Sequence, residues 1–168
     1  MRRAERSFPW APRPFDDEAL GGWIGRLAGA YRMTVDELAD YAGLSVDMSI
    51  PNWLAIALQG EDRRRLAALC RLSDEELPRG HDREKPAHLE YCYRCLILNP
   101  VDVTAPYWRA SWLEGFEREW CQSRCPLIQR TSLAVLRGNR NMAALVQLIC
   151  QRRNSRELQM AERRRQGR

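Results

Sequence analysis

Six cysteines, at positions 70, 92, 95, 121, 125 and 150, are the residues whose spacing most directly indicates chemistry. Four of them form two close pairs, Cys92-x2-Cys95 and Cys121-x3-Cys125, with 25 residues between the pairs. Two such pairs can meet at one tetrahedral zinc ion, and four thiolates leave no coordination position for water. We therefore predict one structural zinc ion, bound by Cys92, Cys95, Cys121 and Cys125, that takes no part in catalysis.

Other uses of the cysteines stay open. Disulfide bonds would have to persist in a reducing compartment, because we find no export signal. A thioredoxin-like redox pair is a second alternative, although the sequence shows no strand–helix pattern around Cys92, and inert or regulatory thiols are a third. His88, four residues before Cys92, could replace one thiolate. Cys70 and Cys150 lie on apolar helical faces and are predicted to be small core residues.

The sequence contains few groups arranged for catalysis. Its two histidines, His81 and His88, belong to no recognisable nucleophile arrangement. It contains no glycine-rich phosphate loop and no G-x-S-x-G motif. Two carboxylate clusters, Asp16–Glu18 and Asp74–Glu76, occupy positions where acidic residues complement the positive end of a helix dipole. We therefore predict a protein that is not an enzyme.

The hydrophobic pattern predicts a mainly α-helical fold with a small zinc-ribbon-like module. Apolar residues at steps of three and four indicate an amphipathic helix over residues 17–31. Thr34 and Glu37 have the spacing of a capping box that starts a second helix. We expect a short third helix over residues 52–58 and a fourth over residues 62–72.

Three segments are expected along the chain. Residues 1–79 should form an extended proline-rich arm and a helical, helix-turn-helix-like bundle. Residues 80–130 should form the zinc-binding module, because four cysteines and little helical periodicity mark this stretch. Residues 131–168 should form a basic C-terminal helical segment, whose end is either a solvated helix or a segment that becomes ordered on binding a partner.

Charge is unevenly distributed over the 168 residues, which carry a net charge of +5. Residues 1–90 hold 13 basic and 16 acidic side chains, whereas residues 91–168 hold 14 basic and 6 acidic ones. All the basic residues except Lys85 are arginines, which form planar bidentate contacts with phosphate and carboxylate; high-GC coding is the alternative explanation. The second half therefore suits nucleic acid or an acidic protein surface. The predicted contact residues are Arg137, Arg140, Arg152, Arg153 and Arg156.

No segment of the sequence is suited to cross a membrane. The longest apolar run, from Trp53 to Leu58, is six residues, far short of the roughly 18 that indicate a membrane-spanning helix. The basic N-terminus is not followed by the apolar segment of a secretion signal. We expect a cytoplasmic protein.

Several motifs occur in order between residues 8 and 130. They are a proline-rich arm, Asp17-Glu18-Ala19-Leu20-x-x-Trp23-Ile24-x-Arg26-Leu27-Ala28, Tyr91-Cys92-x-x-Cys95-Leu96, Pro106-Tyr107-Trp108-Arg109-x-x-Trp112, and Cys121 followed by Pro126-Leu127. Together they resemble the short form of the TniQ family, the target-selection proteins of TnsABCD-type and CRISPR-associated transposons. Two positions depart from the family pattern: Tyr93 stands where proline is usual, and Arg124 stands at a common histidine position, so that Cys125 takes over as ligand.

The resemblance implies a non-enzymatic transposition adaptor. Such a protein helps select the target site by linking DNA or a targeting complex, including a CRISPR effector complex, to an oligomeric AAA+ ATPase regulator. It would be cytoplasmic and associated with the nucleoid when active. The alternative is a zinc-containing helix-turn-helix transcription regulator, because residues 33–45 resemble the first helix and turn of that motif.

Three aromatic residues, Tyr107, Trp108 and Trp112, have two alternative uses. Because Trp108 and Trp112 are four positions apart, a helix would place them on one face. The resemblance implies that this face supports the zinc module. The alternative is a platform on which the bases of single-stranded DNA stack.

Overall fold

A computed structural model describes residues 6–48, 50, 52–81, 88–97, 105–114 and 128–166. The described chain is mainly helical, as predicted for the fold class, and it also contains a two-stranded sheet. The elements, in chain order, are α1 (Leu20–Ala30), α2 (Val35–Tyr41), α3 (Gly60–Cys70), β1 (His88–Cys92), α4 (Tyr93–Ile97), α5 (Ser111–Glu114), β2 (Ile128–Ser132), α6 (Leu133–Gly138) and α7 (Met142–Gln166).

The N-terminal arm, residues 6–15, packs against the first helices. Phe8 is buried and its ring lies 5.1 Å from that of Tyr31 and 5.2 Å from that of Tyr41. Trp23 Nε1 donates a hydrogen bond of 2.7 Å to the carbonyl of Pro12. The helix that carries Trp23, α1, fully buries most of the apolar stripe predicted for it, namely Leu20, Trp23, Ile24, Leu27 and Ala28. The last predicted member, Tyr31, is the C-cap residue and is half-buried.

The acidic residues before α1 do not cap it. The N-cap residue is Ala19, and the first turn of the helix contains no acidic side chain. The interpretation of Asp16–Glu18 as partners of the helix dipole is therefore wrong. Glu18 is buried against an arginine of α1, and a buried ion pair constrains a carboxylate more strongly than the partial charge at a helix end.

The predicted capping box of α2 is confirmed. The Thr34 side chain accepts the Glu37 N–H at 3.2 Å, and the Glu37 carboxylate accepts the Thr34 N–H at 2.8 Å. Just after the helix, Gly43 has φ 59°, a left-handed conformation that glycine adopts without a Cβ clash. The N-terminal bundle continues with α3, close to the helix predicted over 62–72.

The prediction of a short helix over residues 52–58 is wrong. This segment forms a turn followed by irregular backbone, although Trp53 and Leu54 are fully buried. A Cβ atom on Gly21 would lie 2.2 Å from the carbonyl oxygen of Trp53 and 2.5 Å from that of Leu54, so the segment lies directly on α1. Trp53 Nε1 also donates to the carbonyl of Leu136 at 3.1 Å. These tertiary contacts hold an open backbone where the local pattern favours a helix.

The second half contains a sheet that the sequence did not predict. β1 and β2 pair antiparallel in a register that runs from His88 opposite Ser132 to Cys92 opposite Ile128. Each strand leads directly into a short helix, β1 into α4 and β2 into α6. The strands escaped prediction because each has only five residues and β2 is mostly polar. β1 does alternate polar and apolar residues from His88 to Tyr91, but four residues are the shortest stretch over which alternation indicates a strand.

The last helix, α7, has a buried first half and an exposed second half. Met142, Leu145 and Ile149 are buried, and α7 packs against α1. Side chains from the arm, the N-terminal helices, the sheet and α7 belong to one cluster of buried residues. Within the described ranges, we find no helix with the length and apolar character needed to cross a membrane.

Candidate metal knuckle and arginine surface

Two cysteines lie at the junction between β1 and α4. Cys92 is the last residue of β1 and is fully buried, whereas Cys95 belongs to α4 and is 7% exposed. The spacing, burial and soft sulfur donors of this pair fit half of a four-thiolate zinc site. Cys121 and Cys125 lie outside the described residues, and the described part holds no group of three or more His, Cys, Asp or Glu residues that could bind a metal. The complete zinc site stays a prediction.

The surroundings of Cys92 differ from the sequence expectation. A strand does lead into a helix at this position, contrary to the expectation of no strand–helix pattern around Cys92. The strand pairs antiparallel in a two-stranded sheet, whereas a thioredoxin-like motif lies near a parallel βαβ unit.

Aromatic side chains pack against β1. The Trp108 ring lies 5.3 Å from that of Tyr91 and 5.3 Å, edge-on, from that of Trp112. Tyr107, Trp108 and Trp112 are at most 7% exposed, so their faces are not accessible to nucleotide bases. Trp108 and Trp112 thus pack against Tyr91 of β1, whereas the Tyr107 ring packs against Phe15 of the arm, with 4.5 Å between the ring centroids. That these residues support a zinc module stays a prediction. One detail is wrong, because α5 begins at Ser111 and Trp108 therefore precedes the helix that carries Trp112.

Hydrogen bonds join this aromatic segment to the start of α1. Arg109 and the Ser111 hydroxyl each donate to the carboxylate of Asp17 at 3.2 Å. The Ala19 N–H donates to the carbonyl of Trp108 at 2.8 Å. The two halves of the described chain are therefore connected through residues 17–19.

Glu18 and Arg26 form a buried ion pair beneath the arm. Two nitrogens of Arg26 each lie 2.7 Å from a carboxylate oxygen of Glu18, and the two side chains are 9% and 0% exposed. Arg26 also donates to the carbonyl of Arg13 at 2.9 Å and lies 4.4 Å from the ring centroid of Phe15. Burial raises the pKa of Glu18 above its ordinary value, against the opposing effect of Arg26. The pair fixes the arm to α1.

Tyr93 connects α4 to α7. Its hydroxyl donates to Cys150 Sγ at 3.8 Å, and the guanidinium of Arg153 lies 4.2 Å from its ring centroid. Arg153 Nε in turn lies 2.8 Å from Glu157 Oε1. Burial, together with the contact to Cys150, raises the pKa of the Tyr93 hydroxyl. The rotation of α7 about its axis is therefore tied to the residue that follows Cys92.

The two remaining cysteines differ in burial. Cys70 is 7% exposed, and burial raises the pKa of its thiol to about 12, which confirms its predicted place in the core. Cys150 is half-buried at the edge of the core, beside Tyr93.

One of the predicted contact arginines is held by the protein itself. Arg140 binds the carboxylate of Asp36 through two nitrogens, at 2.7 and 2.8 Å, and donates to the carbonyls of Ile50, at 2.9 Å, and Met48. Its side chain is 13% exposed. This arginine joins the loop before α7 to α2.

The other four predicted contact arginines lie on two helices. Arg137 is exposed on α6. Arg152 and Arg156 are exposed on α7, with the half-buried Arg153 beside them. The structure thus brings three of the five predicted residues together on one helix.

Other arginines bind backbone carbonyls within the protein, which the sequence did not indicate. Arg63 donates to three backbone carbonyls of residues 74–78 at 2.6 to 2.9 Å. Arg65 donates to the carbonyl of Gly43 at 2.7 Å. In the helix predicted over 62–72, with Leu66, Leu69 and Cys70 on its inner face, the pattern places both arginines on the outer face, so they are expected to face solvent. No local spacing could identify them, because their acceptors lie 11 to 22 positions away.

Comparison with known proteins gives a match at the level of the family. The family model described as TniQ matches residues 9–116 of the 168-residue chain. The matched segment includes the arm, α1 to α3, Cys92, Cys95 and α5, and it ends before β2 and α7. No curated protein and no solved structure matches the sequence.

Proposed function

The chain belongs to the TniQ family, whose members act in transposition, and from that premise we propose that it is a non-enzymatic adaptor of target selection. The adaptor links DNA or a targeting complex to an oligomeric AAA+ ATPase regulator. The observation that carries the proposal is the extent of the match, which covers the arm, the N-terminal helices and the first cysteine pair. Residues 17–19 join the start of α1 to Trp108 and Arg109, and Trp108 packs on Tyr91 of β1, as expected of a rigid scaffold that holds partners in place.

The proposal assigns partners by class. The family resemblance implies the AAA+ ATPase as a partner. In CRISPR-associated transposons it also implies a CRISPR effector complex as the targeting partner. The protein works in the cytoplasm and joins the nucleoid when the ATPase is assembled on DNA. Arg137, Arg152, Arg153 and Arg156 are proposed to contact DNA or a protein partner, whereas Arg140 is left out because Asp36 and two carbonyls already occupy its guanidinium.

The proposed zinc ion has a structural role. Cys92, Cys95, Cys121 and Cys125 would hold it, and the ion would cross-link the strand–helix junction at Cys92 to the segment around Cys121. Metal analysis of freshly purified protein should find one zinc per chain. Cys92→Ser should lose the metal and unfold this region, because metal binding and local folding are coupled. Cys70→Ser, which changes a buried thiol outside the predicted site, should keep one zinc per chain.

The adaptor role is tested with the purified AAA+ ATPase of the transposon that carries the gene. We expect the protein to co-sediment with ATPase oligomers assembled on duplex DNA with a non-hydrolysable ATP analogue, and not with the ADP-bound ATPase. Equal recovery in both nucleotide states, or none in either, would contradict the proposal.

The alternative, a helix-turn-helix regulator, gains no support from the fold. A major-groove reader places its recognition helix directly after the turn that follows its first helix. Here α2 ends before Gly43, and the described residues from there to Gln59 form turns and irregular backbone. Salt-dependent binding to one preferred duplex sequence, without ATPase association, is the result that would favour the regulator.

A further inference from the structure

The second half of α7, residues 151–166, carries arginines that the proposed function assigns to DNA or a protein partner without deciding between the two. This distal segment lies outside the family match. At 1.5 Å per residue its 16 residues extend for about 24 Å. Every described side chain in it is exposed except Arg153, which is half-buried.

The distal segment has no apolar face that could pack on the rest of the protein. Its large apolar side chains, Leu158 and Met160, are 66% and 54% exposed. At about 100° per residue they project about 160° apart, so they cannot enter one apolar pocket together. A helix that is polar on all sides gains little stability from burial. We infer that its conformation serves an external partner.

The charge of the segment indicates the sign of that partner. Residues 151–166 contain six arginines and two glutamates. One glutamate, Glu157, pairs with Arg153, which is already held against Tyr93. The exposed arginines outside this pair repel one another, so a polyanion would relieve the repulsion.

Three arginines share one side of the helix. Arg152, Arg156 and Arg163 occupy positions i, i+4 and i+11, which lie within about 40° of one another around the axis. They extend along about 16 Å of the helix, and all three are exposed. The contact of Arg153 with the Tyr93 ring fixes the rotation of α7, so this arginine face has a preset direction.

We propose that the face formed by Arg152, Arg156 and Arg163 binds the phosphate backbone of duplex DNA without base specificity. Protein interfaces have an apolar core depleted of charge, and the distal segment offers none. A DNA backbone instead presents closely spaced charges along its whole length, and arginine binds phosphate in a planar bidentate manner. This inference rests on the proposed function and deepens it, because it assigns the arginines of α7 to DNA and not to a protein partner; its test requires no ATPase.

The test measures the binding of the full chain to fluorescent DNA duplexes of about 20 base pairs, in two unrelated sequences, between 50 and 200 mM salt. The test variant combines Arg152→Ala, Arg156→Ala and Arg163→Ala. Loss of three phosphate contacts should lower the salt slope by about 2.7. Between these salt concentrations the affinity of the unaltered protein should therefore fall about 40-fold more than that of the variant. Both duplexes should be affected equally.

A matched variant distinguishes the loss of contacts at this face from the loss of net positive charge. Arg13→Ala, Arg64→Ala and Arg79→Ala together remove the same charge from exposed positions outside α7 and should leave the slope nearly unchanged. Replacing the three arginines of the face by lysine should largely retain the slope, because the positive charges remain. Circular dichroism and thermal unfolding check that all three variants fold.

Several outcomes would overturn the proposal. They are no duplex binding by the unaltered protein, an unchanged slope in the face variant, or an equal loss in the matched variant. Tighter binding of polyglutamate than of DNA, with the same dependence on the three arginines, would assign the face to an acidic protein instead. Because no ATPase is present, these results leave the adaptor proposal to its own test.

Discussion

Replacing Arg26 by methionine should strongly destabilise the protein, because it leaves the carboxylate of Glu18 buried without its partner. The Glu18 side chain is fully buried and receives two hydrogen bonds of 2.7 Å from Arg26. Removal of one member of a buried pair costs about 3–5 kcal/mol. Arg26→Met also removes the hydrogen bond to the Arg13 carbonyl and the contact with Phe15, so we expect a loss near the upper end of that range.

Urea unfolding followed by circular dichroism measures this loss, with Arg64→Met as the control. Arg64 pairs with Glu61 at 3.3 Å, but these side chains are 72% and 69% exposed, so the control should cost less than about 1 kcal/mol. If Arg26→Met costs no more than Arg64→Met, the argument from burial is refuted.

The loss should also depend on pH. Burial already raises the pKa of Glu18, and removal of Arg26 leaves burial unopposed by the guanidinium. A carboxyl whose pKa is raised on folding contributes stability at low pH, and this contribution is lost as the pH rises through the folded-state pKa. Arg26→Met should therefore be less destabilised near pH 5 than near pH 8. An equal loss at both values would contradict the assignment of the effect to the Glu18 carboxylate.

Two further predictions concern α1 and the alkaline range. Gly21→Ala should lower the free energy of unfolding, measured with urea, by about 3 kcal/mol, because the new Cβ would lie 2.2 Å from the Trp53 carbonyl oxygen. Gly138→Ala is the control and should leave the free energy of unfolding unchanged, because its Cβ would have no atom within 4 Å. Burial raises the pKa of Cys70 and of Tyr91 to about 12 each, so both groups ionise at lower pH in the unfolded chain than in the folded protein. The free energy of unfolding should therefore fall above about pH 9, by up to about 1.4 kcal/mol per pH unit for each group. Cys70→Ala should remove the part of this pH dependence that comes from the thiol, and an unchanged pH dependence in that variant would refute the prediction.

Local patterns predicted the features that depend on local contacts. The stripe of α1 and the capping box of Thr34 and Glu37 are set by spacing of three and four residues, so a short stretch of sequence contains the whole signal. The segment after Pro51 was mispredicted because Trp53 is held by Leu136, 83 positions away. The pairing of β1 with β2 is equally non-local, and the sequence of neither strand indicates which segment it pairs with.

The candidate site was partly predictable for the same reason. The pair Cys92 and Cys95 is visible as a spacing, but the contact of Tyr93 with Arg153 joins residues 60 positions apart. The arginine content of the second half indicated a basic surface, but it did not indicate which of these arginines face outward. Arg140 and Arg152 look alike in the sequence, and only the fold shows that Asp36 holds the former while the latter is exposed.

The antiparallel sheet also determines the order in which the chain can complete its fold during synthesis. The closest partners in the sheet, Cys92 and Ile128, are 36 positions apart. At about 5–20 residues per second, a ribosome needs about 2–7 s to add the residues that separate them. Throughout that interval β1 has an unpaired edge, which is the kind of surface that pairs with other chains. The nascent protein therefore depends on the arrival of β2 to pair this edge of β1.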